Sequence, residues 1–208
     1  MERPATPPDP APTDAAPPAL LIVAATLGRS PLPAALFPTV TPVVVPHEAL
    51  RVALPWRGAL FDLFEELAGA DSAAAAPPAR TVGLLVPVRW VSEAPAPELV
   101  IVADHVNTRL RGPLTGRRPT SGPHSGGSQP FPSLTGIYQP ETIRCAVGRR
   151  VYSIVAVAGV AAAAALTPFE RRAVAATGCA AVCDCLVDVA VVAALYGFKV
   201  AACGVPGS

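Results

Sequence analysis

The stretch from Thr167 to Ser208 alternates between helix and strand signals, and it constrains the possible folds more than any other part of the chain. The sequence Thr-Pro-Phe-Glu at its start predicts a helix, because Thr can cap free N–H groups, Pro suits the first helical position and Glu can complete a capping box. Gly178 ends that helix, since glycine tolerates the left-handed conformation that follows many helices. Three apolar segments then predict a strand, a buried helix and a second strand, at 179–183, 186–196 and 198–203. The valines of the middle segment would also suit a strand.

Strands separated by single helices imply crossover connections and a largely parallel sheet. Further apolar runs predict strands upstream, at 20–25, 40–45, 50–54, 82–88 and 98–103, and a helix over 60–69. The length of 208 residues and the hydrophobic fraction of 51% suit one domain with a sizeable core. The expected fold class is therefore α/β, with a single domain whose central mixed, largely parallel sheet is flanked by helices.

Composition also sets the domain boundaries. Residues 1–18 are rich in proline and alanine and bury too little apolar surface to order, so we expect a disordered tail before an α/β domain at 19–208. A low-complexity alanine and proline linker is expected at 71–80. The long connection at 104–144 contains few apolar runs, and we expect its part at 108–130 to be a flexible loop.

Bulk properties exclude several function classes. The formal net charge of +1 argues against a polyanionic partner, so nucleic acid is not expected to bind. The longest uncharged run, 151–166, is shorter than the ~20 residues that a spanning helix needs, and no membrane association is expected. Five cysteines without a signal peptide suggest thiols in a reducing compartment. No cofactor is implied.

The cysteines near the C-terminus raise the question of a metal site: Cys179, Cys183, Cys185 and Cys203. Structural zinc sites normally show paired C-x2-C spacing or nearby histidines. Here the histidines lie elsewhere in the sequence, at His47, His105 and His124. We therefore interpret the cysteines as small buried hydrophobic residues and predict no metal ligands.

A series of motifs in the second half of the chain resembles a known enzyme family. A predicted strand ends in Asp-His-Val-Asn at 104–107, and the loop after it contains Gly116, Phe131-Pro132 and Tyr138. Later motifs continue the likeness, at Ala158-Gly159, Thr167, 178–182 and 196–200. In order and spacing these residues, over roughly 80–208, are similar to the trimeric purine nucleoside phosphorylase family. The resemblance implies a nucleoside phosphorylase-like fold and leaves open whether the chain forms a homo-oligomer.

The same resemblance locates the positions that would bind substrate, and the residues there do not suit that task. Thr26 replaces a phosphate-binding serine, Leu166 a base-binding glutamate and Ser208 a catalytic asparagine, and two phosphate-binding turns are replaced at Val86-Pro87 and Asp184-Cys185. Pro87 lacks the N–H that an anion needs. Asp184 would repel phosphate, because like charges about 4 Å apart cost a few kcal/mol near a protein surface. We therefore expect no catalytic and no substrate-binding residues, and hence a pseudoenzyme.

Two other functions compete with this interpretation. A divergent nucleoside-processing enzyme, a phosphorylase or hydrolase, would use Thr26, His105 and Asp184, although no nucleophile–base pair can be assembled from them. A nucleic-acid-binding module would use Arg117 and Arg118, but that loop lacks interleaved aromatic residues.

The same loop contains candidate phosphorylation sites. Arg117-Arg118 precedes four hydroxyl residues: Thr120, Ser121, Ser125 and Ser128. Phosphate on any of these four could pair with the two arginines. Together with the Pro/Ala/Arg-rich composition, the chain resembles the small nuclear phosphoproteins of alphaherpesviruses. This resemblance implies a non-enzymatic viral protein in the host-cell nucleus, with the cytoplasm as a second compartment, that acts through contacts with viral or host proteins.

Overall fold

The computed structural model describes residues 17–51, 59–69, 80–108, 134–160 and 163–207. These residues form seven strands: β1 Leu20–Ala24, β2 Pro42–Val45, β3 Thr81–Trp90, β4 Leu99–Asn107, β5 Tyr152–Gly159, β6 Ala181–Cys183 and β7 Lys199–Pro206. They also form five α-helices: α1 Leu32–Leu36, α2 Ala59–Gly69, α3 Pro140–Ala146, α4 Pro168–Ala176 and α5 Leu186–Leu195. Short 3-10 turns lie at Ala25–Leu27, His47–Leu50 and Ala163–Ala165.

The seven strands form one mixed sheet, and five of them close into a barrel. The strand order is β2-β1-β3-β6-β5-β4-β7, and β7 pairs again with β3. Strand β3 is parallel to β1 and β7 but antiparallel to β6, and β4 is parallel to β5 but antiparallel to β7. The single α/β domain with a mixed sheet and helices is confirmed. The sheet is largely parallel, as expected, since among the described strands only the β3–β6 and β4–β7 pairs are antiparallel. Its closure into a barrel was not expected: strands β6 and β7, which flank α5, run in opposite directions along β3.

The C-terminal elements form as their local signals predict. Thr167 caps α4, and its hydroxyl accepts a hydrogen bond from the Glu170 N–H while the Glu170 carboxylate accepts one from the Thr167 N–H. Gly178 and Gly197 follow α4 and α5 with positive φ angles of 86° and 77°. The segment 186–196 is a helix, not a strand, over Leu186–Leu195.

Other boundaries differ from those expected. Leu50 belongs to the 3-10 turn His47–Leu50 rather than to a strand at 50–54, and Arg51 caps that turn. Residues 52–54 lie outside those described. Strand β4 continues to Asn107 through an irregularity between Val102 and Asp104, because pairing with β5 extends beyond the apolar run. Helix α3 lies inside the stretch expected to be irregular. The expected tail, the linker and the flexible loop fall mostly or wholly outside the described residues.

Two hydrophobic clusters lie on opposite faces of the sheet. The larger joins the sheet to α2 and α5 and contains the fully buried Phe64, whose ring packs against Phe198 at 5.5 Å between centroids. Helix α5 is buried nearly all round, which explains its apolar sequence. The smaller cluster contains residues of α1 and α3. Among the described helices, none is long and apolar enough to cross a bilayer.

Candidate functional site

The polar cluster at His47 and Asp184 is the candidate functional site. His47 begins the 3-10 turn after β2, and Asp184 lies between β6 and α5. The His47 Nε2 atom lies 2.7 Å from Asp184 Oδ1, and Arg51 Nη1 lies 3.9 Å from Asp184 Oδ2. The Asp184 side chain is only 14% exposed. A largely buried carboxylate is thus held between two basic side chains.

This cluster forms one wall of a cavity of about 350 Å³, lined by His47, Pro87, Val88, Arg89, Ala163, Asp184 and Gly207. The cavity brings together Pro87 and Asp184, two positions that the sequence resemblance aligns with phosphate-binding turns. Val86, the neighbouring position, is fully buried in the core. The histidine was missed by sequence reasoning, because 137 positions separate His47 from Asp184.

Two buried thiols lie behind the carboxylate. The sulfur atoms of Cys183 and Cys185 are 3.6 Å apart, and the Cys183 thiol donates to the Pro87 carbonyl at 3.7 Å. The hydrogen bond to Cys183, followed by burial, raises the pKa of Cys185 well above its usual range. The ligand atoms of His47, Asp184 and Cys185 all lie within 4.8 Å of one another. A histidine that is distant in sequence therefore lies beside Cys185 in the fold.

His105 takes part in a different contact. Its Nδ1 atom lies 2.9 Å from the hydroxyl of Tyr138, and the two rings meet edge to face. Burial lowers the pKa of His105, and burial also raises that of Tyr138 well above 10.0. Both shifts favour the uncharged forms of the two side chains, which share one hydrogen bond between the hydroxyl and the ring nitrogen. This arrangement fixes the start of α3 against the end of β4.

The other predicted positions do not join these clusters. Thr26 lies exposed in the turn after β1, and Leu166 lines a separate cavity of about 500 Å³ beside α4. Thr26, His105 and Asp184, the set required by the alternative enzyme, are not joined to one another by any hydrogen bond. Ser208, Arg117 and Arg118 lie outside the described residues. So do the four candidate phosphorylation sites, Thr120, Ser121, Ser125 and Ser128.

No protein-family model matches this sequence, and no curated protein matches it. Among solved structures, the chain is similar to purine nucleoside phosphorylases from Schistosoma mansoni. Isoform 2, in complex with cytosine and ribose-1-phosphate, is 16% identical with a TM-score of 0.46, and the match covers 61% of this chain and 46% of that one. The complex with BCX-34 is 16% identical with a TM-score of 0.49, covering 61% and 49%. A complex with a monocyclic inhibitor is 18% identical with a TM-score of 0.48, covering 61% and 50%.

The chain thus spans about half the length of these enzymes. The likeness is one of fold at low identity, and nothing about activity follows from it.

Proposed function

We propose that the protein is a non-catalytic interaction protein built on a nucleoside phosphorylase-like scaffold, and that its cavity does not accept phosphate. The observation that supports this proposal is the Asp184 carboxylate, held at the cavity wall by His47 and Arg51. A phosphate site needs an excess of donors and positive charge. This wall instead contains the Asp184 carboxylate, and the nearest basic side chains, His47 and Arg51, contact that carboxylate.

The electrostatic cost of phosphate in this cavity follows from that arrangement. An anion about 4 Å from the Asp184 carboxylate meets a repulsion of roughly 4 kcal/mol at the effective dielectric constant of a protein surface. Arg89 contributes one positive charge to the cavity wall, but Asp184 contributes one negative charge. Pro87 offers no backbone N–H to the cavity. Together these features oppose the first requirement of phosphorolysis, which is a bound phosphate.

The proposed role is that of a viral nuclear phosphoprotein that works through protein contacts in the host-cell nucleus. The basic loop with its hydroxyl residues and the composition of the chain support this role. Large apolar side chains that remain exposed offer contact area for a protein partner: Val151, Ile154 and Phe169. Phosphate on the loop would add negative charge next to Arg117 and Arg118 and so change which partners the loop attracts.

The test is calorimetric titration of the purified chain with inosine, guanosine and inorganic phosphate, together with chromatographic detection of free purine base. We expect no binding and no release of base from the wild-type chain. The matched variant Asp184→Asn removes the negative charge with little change in volume, and we expect it to raise phosphate affinity at least about tenfold without turnover. Phosphate-dependent release of base by the wild-type chain, lost in Asp184→Asn, would contradict the proposal.

A further inference from the structure

We infer that His47, Asp184 and Cys185 form a binding site for a divalent metal ion of the zinc type. This inference goes beyond the proposed function, since it depends on neither phosphate nor a protein partner. Its basis is the convergence of one imidazole nitrogen, one carboxylate and one thiol from two separate parts of the chain within 4.8 Å of one another.

The donor set suits zinc better than it suits the hard cations. Zinc binds His nitrogen, carboxylate oxygen and Cys sulfur, whereas magnesium and calcium take oxygen ligands almost exclusively. Around a tetrahedral zinc ion, one nitrogen, one oxygen and one sulfur ligand with bonds of about 2.0–2.3 Å lie about 3.3–3.5 Å apart. The three atoms here, all within 4.8 Å of one another, require shifts of at most about 1.3 Å to reach those separations.

Metal binding displaces the thiol proton and one hydrogen bond. Cys185 loses its proton to solvent and binds as the thiolate, while His47 binds through the Nε2 lone pair with its ring proton on Nδ1. The ion therefore replaces the contact between His47 Nε2 and Asp184 Oδ1 with direct metal–ligand bonds.

The surrounding structure positions two of the three ligands. Cys185 is fully buried at the start of α5, and Cys183, whose sulfur is 3.6 Å away, pairs with Gly159 in β6. His47 belongs to a short turn held by the fully buried Leu50. Because His47 and Asp184 also line the cavity of about 350 Å³, the fourth coordination position faces that cavity and is open to water.

The test uses the full chain, treated with a chelator under reducing conditions and then titrated with zinc chloride by calorimetry. We expect one ion per chain. Cobalt chloride in place of zinc should give a thiolate-to-cobalt charge-transfer band in the near ultraviolet and strong visible bands of a four-coordinate site. The variants Cys185→Ala and His47→Gln should each weaken binding at least about tenfold. Cys203→Ala, a matched loss of a buried thiol in the other hydrophobic cluster, should bind the ion as the wild type does.

Several outcomes would overturn the inference: a stoichiometry well below one in the wild type, cobalt spectra without a thiolate band, or equal losses in Cys203→Ala and Cys185→Ala. If Cys185→Ala does not fold, His47→Gln decides, since His47 lies in a partly exposed turn. A simple ion pair between His47 and Asp184 predicts that His47→Gln changes thermal stability with no dependence on zinc. Phosphate titrations of wild type and Asp184→Asn after chelator treatment, with no metal added, test the proposed function separately from this experiment.

Discussion

Replacing Gly204 by alanine tests the closure of the barrel directly. Gly204 lies in β7 where that strand pairs with both β3 and β4, opposite Val86 and Val100. A Cβ atom added there would lie 2.6 and 2.8 Å from the two γ-carbons of Val88 and 3.3 Å from its Cβ. Carbon atoms in contact prefer separations of about 3.5–4.0 Å, so the overlap approaches 1 Å.

The size of the expected destabilisation follows because the Val88 side chain cannot move out of the overlap. Both γ-carbons of Val88 lie on the side of Gly204, so rotation about χ1 still leaves a methyl group in the overlap. Val88 is itself only 2% exposed. We therefore expect Gly204→Ala to lower the free energy of unfolding by about 2–3 kcal/mol, the upper part of the range for overpacked cores. For a domain of this size the unfolding midpoint should fall by about 4–12 °C.

The assay is thermal and urea unfolding of Gly204→Ala, Val88→Ala and the double variant. Val88→Ala alone removes two methyl groups and should cost about 1.6 kcal/mol plus a cavity contribution. In the Val88→Ala background, Gly204→Ala should hardly change the free energy of unfolding, because the new methyl group enters the space that the valine methyl groups occupied. A coupling energy of about 2 kcal/mol is expected. Additive effects, within about 0.5 kcal/mol, would refute the contact between the two strands and with it the closed barrel.

Three further predictions concern local contacts. Thr167→Ala removes the N-cap of α4 and should cost about 1 kcal/mol in unfolding experiments; because Thr167 lowers the pKa of Glu170, the gap between variant and wild type should shrink as the pH falls through that lowered pKa. Tyr138→Phe leaves the His105 ring nitrogen without its hydrogen-bond partner and should cost about 1–3 kcal/mol; since burial lowers the pKa of His105, wild-type stability should be full above pH 6.5 and fall below it, a dependence that His105→Gln removes. In the native chain at pH 8, mass spectrometry after brief alkylation should find Cys145 modified first, because the other four cysteines are buried.

The sequence predicted those helices whose ends are determined by only a few neighbouring residues. The capping box at Thr167 and the glycines after α4 and α5 specify helix ends through backbone conformation alone, so they could be identified without tertiary contacts. Pro42 lies in β2, which ends the sheet, a position where a strand tolerates the missing N–H of proline. Helix α3 was missed because its seven residues carry too few apolar positions to show a period.

The closed barrel could not be predicted in this way, because strand direction depends on which neighbours pair. Alternation of strand and helix implies that successive strands are parallel neighbours. Here β6 contributes only three residues and pairs with Arg89 and Trp90 at the end of β3, whereas β7 pairs with β3 from Thr81 to Val88. Both strands are apolar and buried, so neither hydrophobicity nor length reveals their opposite directions.

The candidate site follows from that same arrangement of strands. Strand β3 extends beyond the end of β1, and β6 pairs with this extension at Arg89 and Trp90. Running antiparallel to β3, β6 therefore delivers Asp184 beside Pro87. Strand β2 is parallel to β1 and ends at the same level, so the next residues of the chain bring His47 to the same edge. A largely parallel sheet was predicted, and the shared carboxyl end of its parallel strands β1 and β2 could have located His47 there. The direction of β6 could not be predicted from the sequence. It is this direction that places Asp184 next to His47 and a buried thiol.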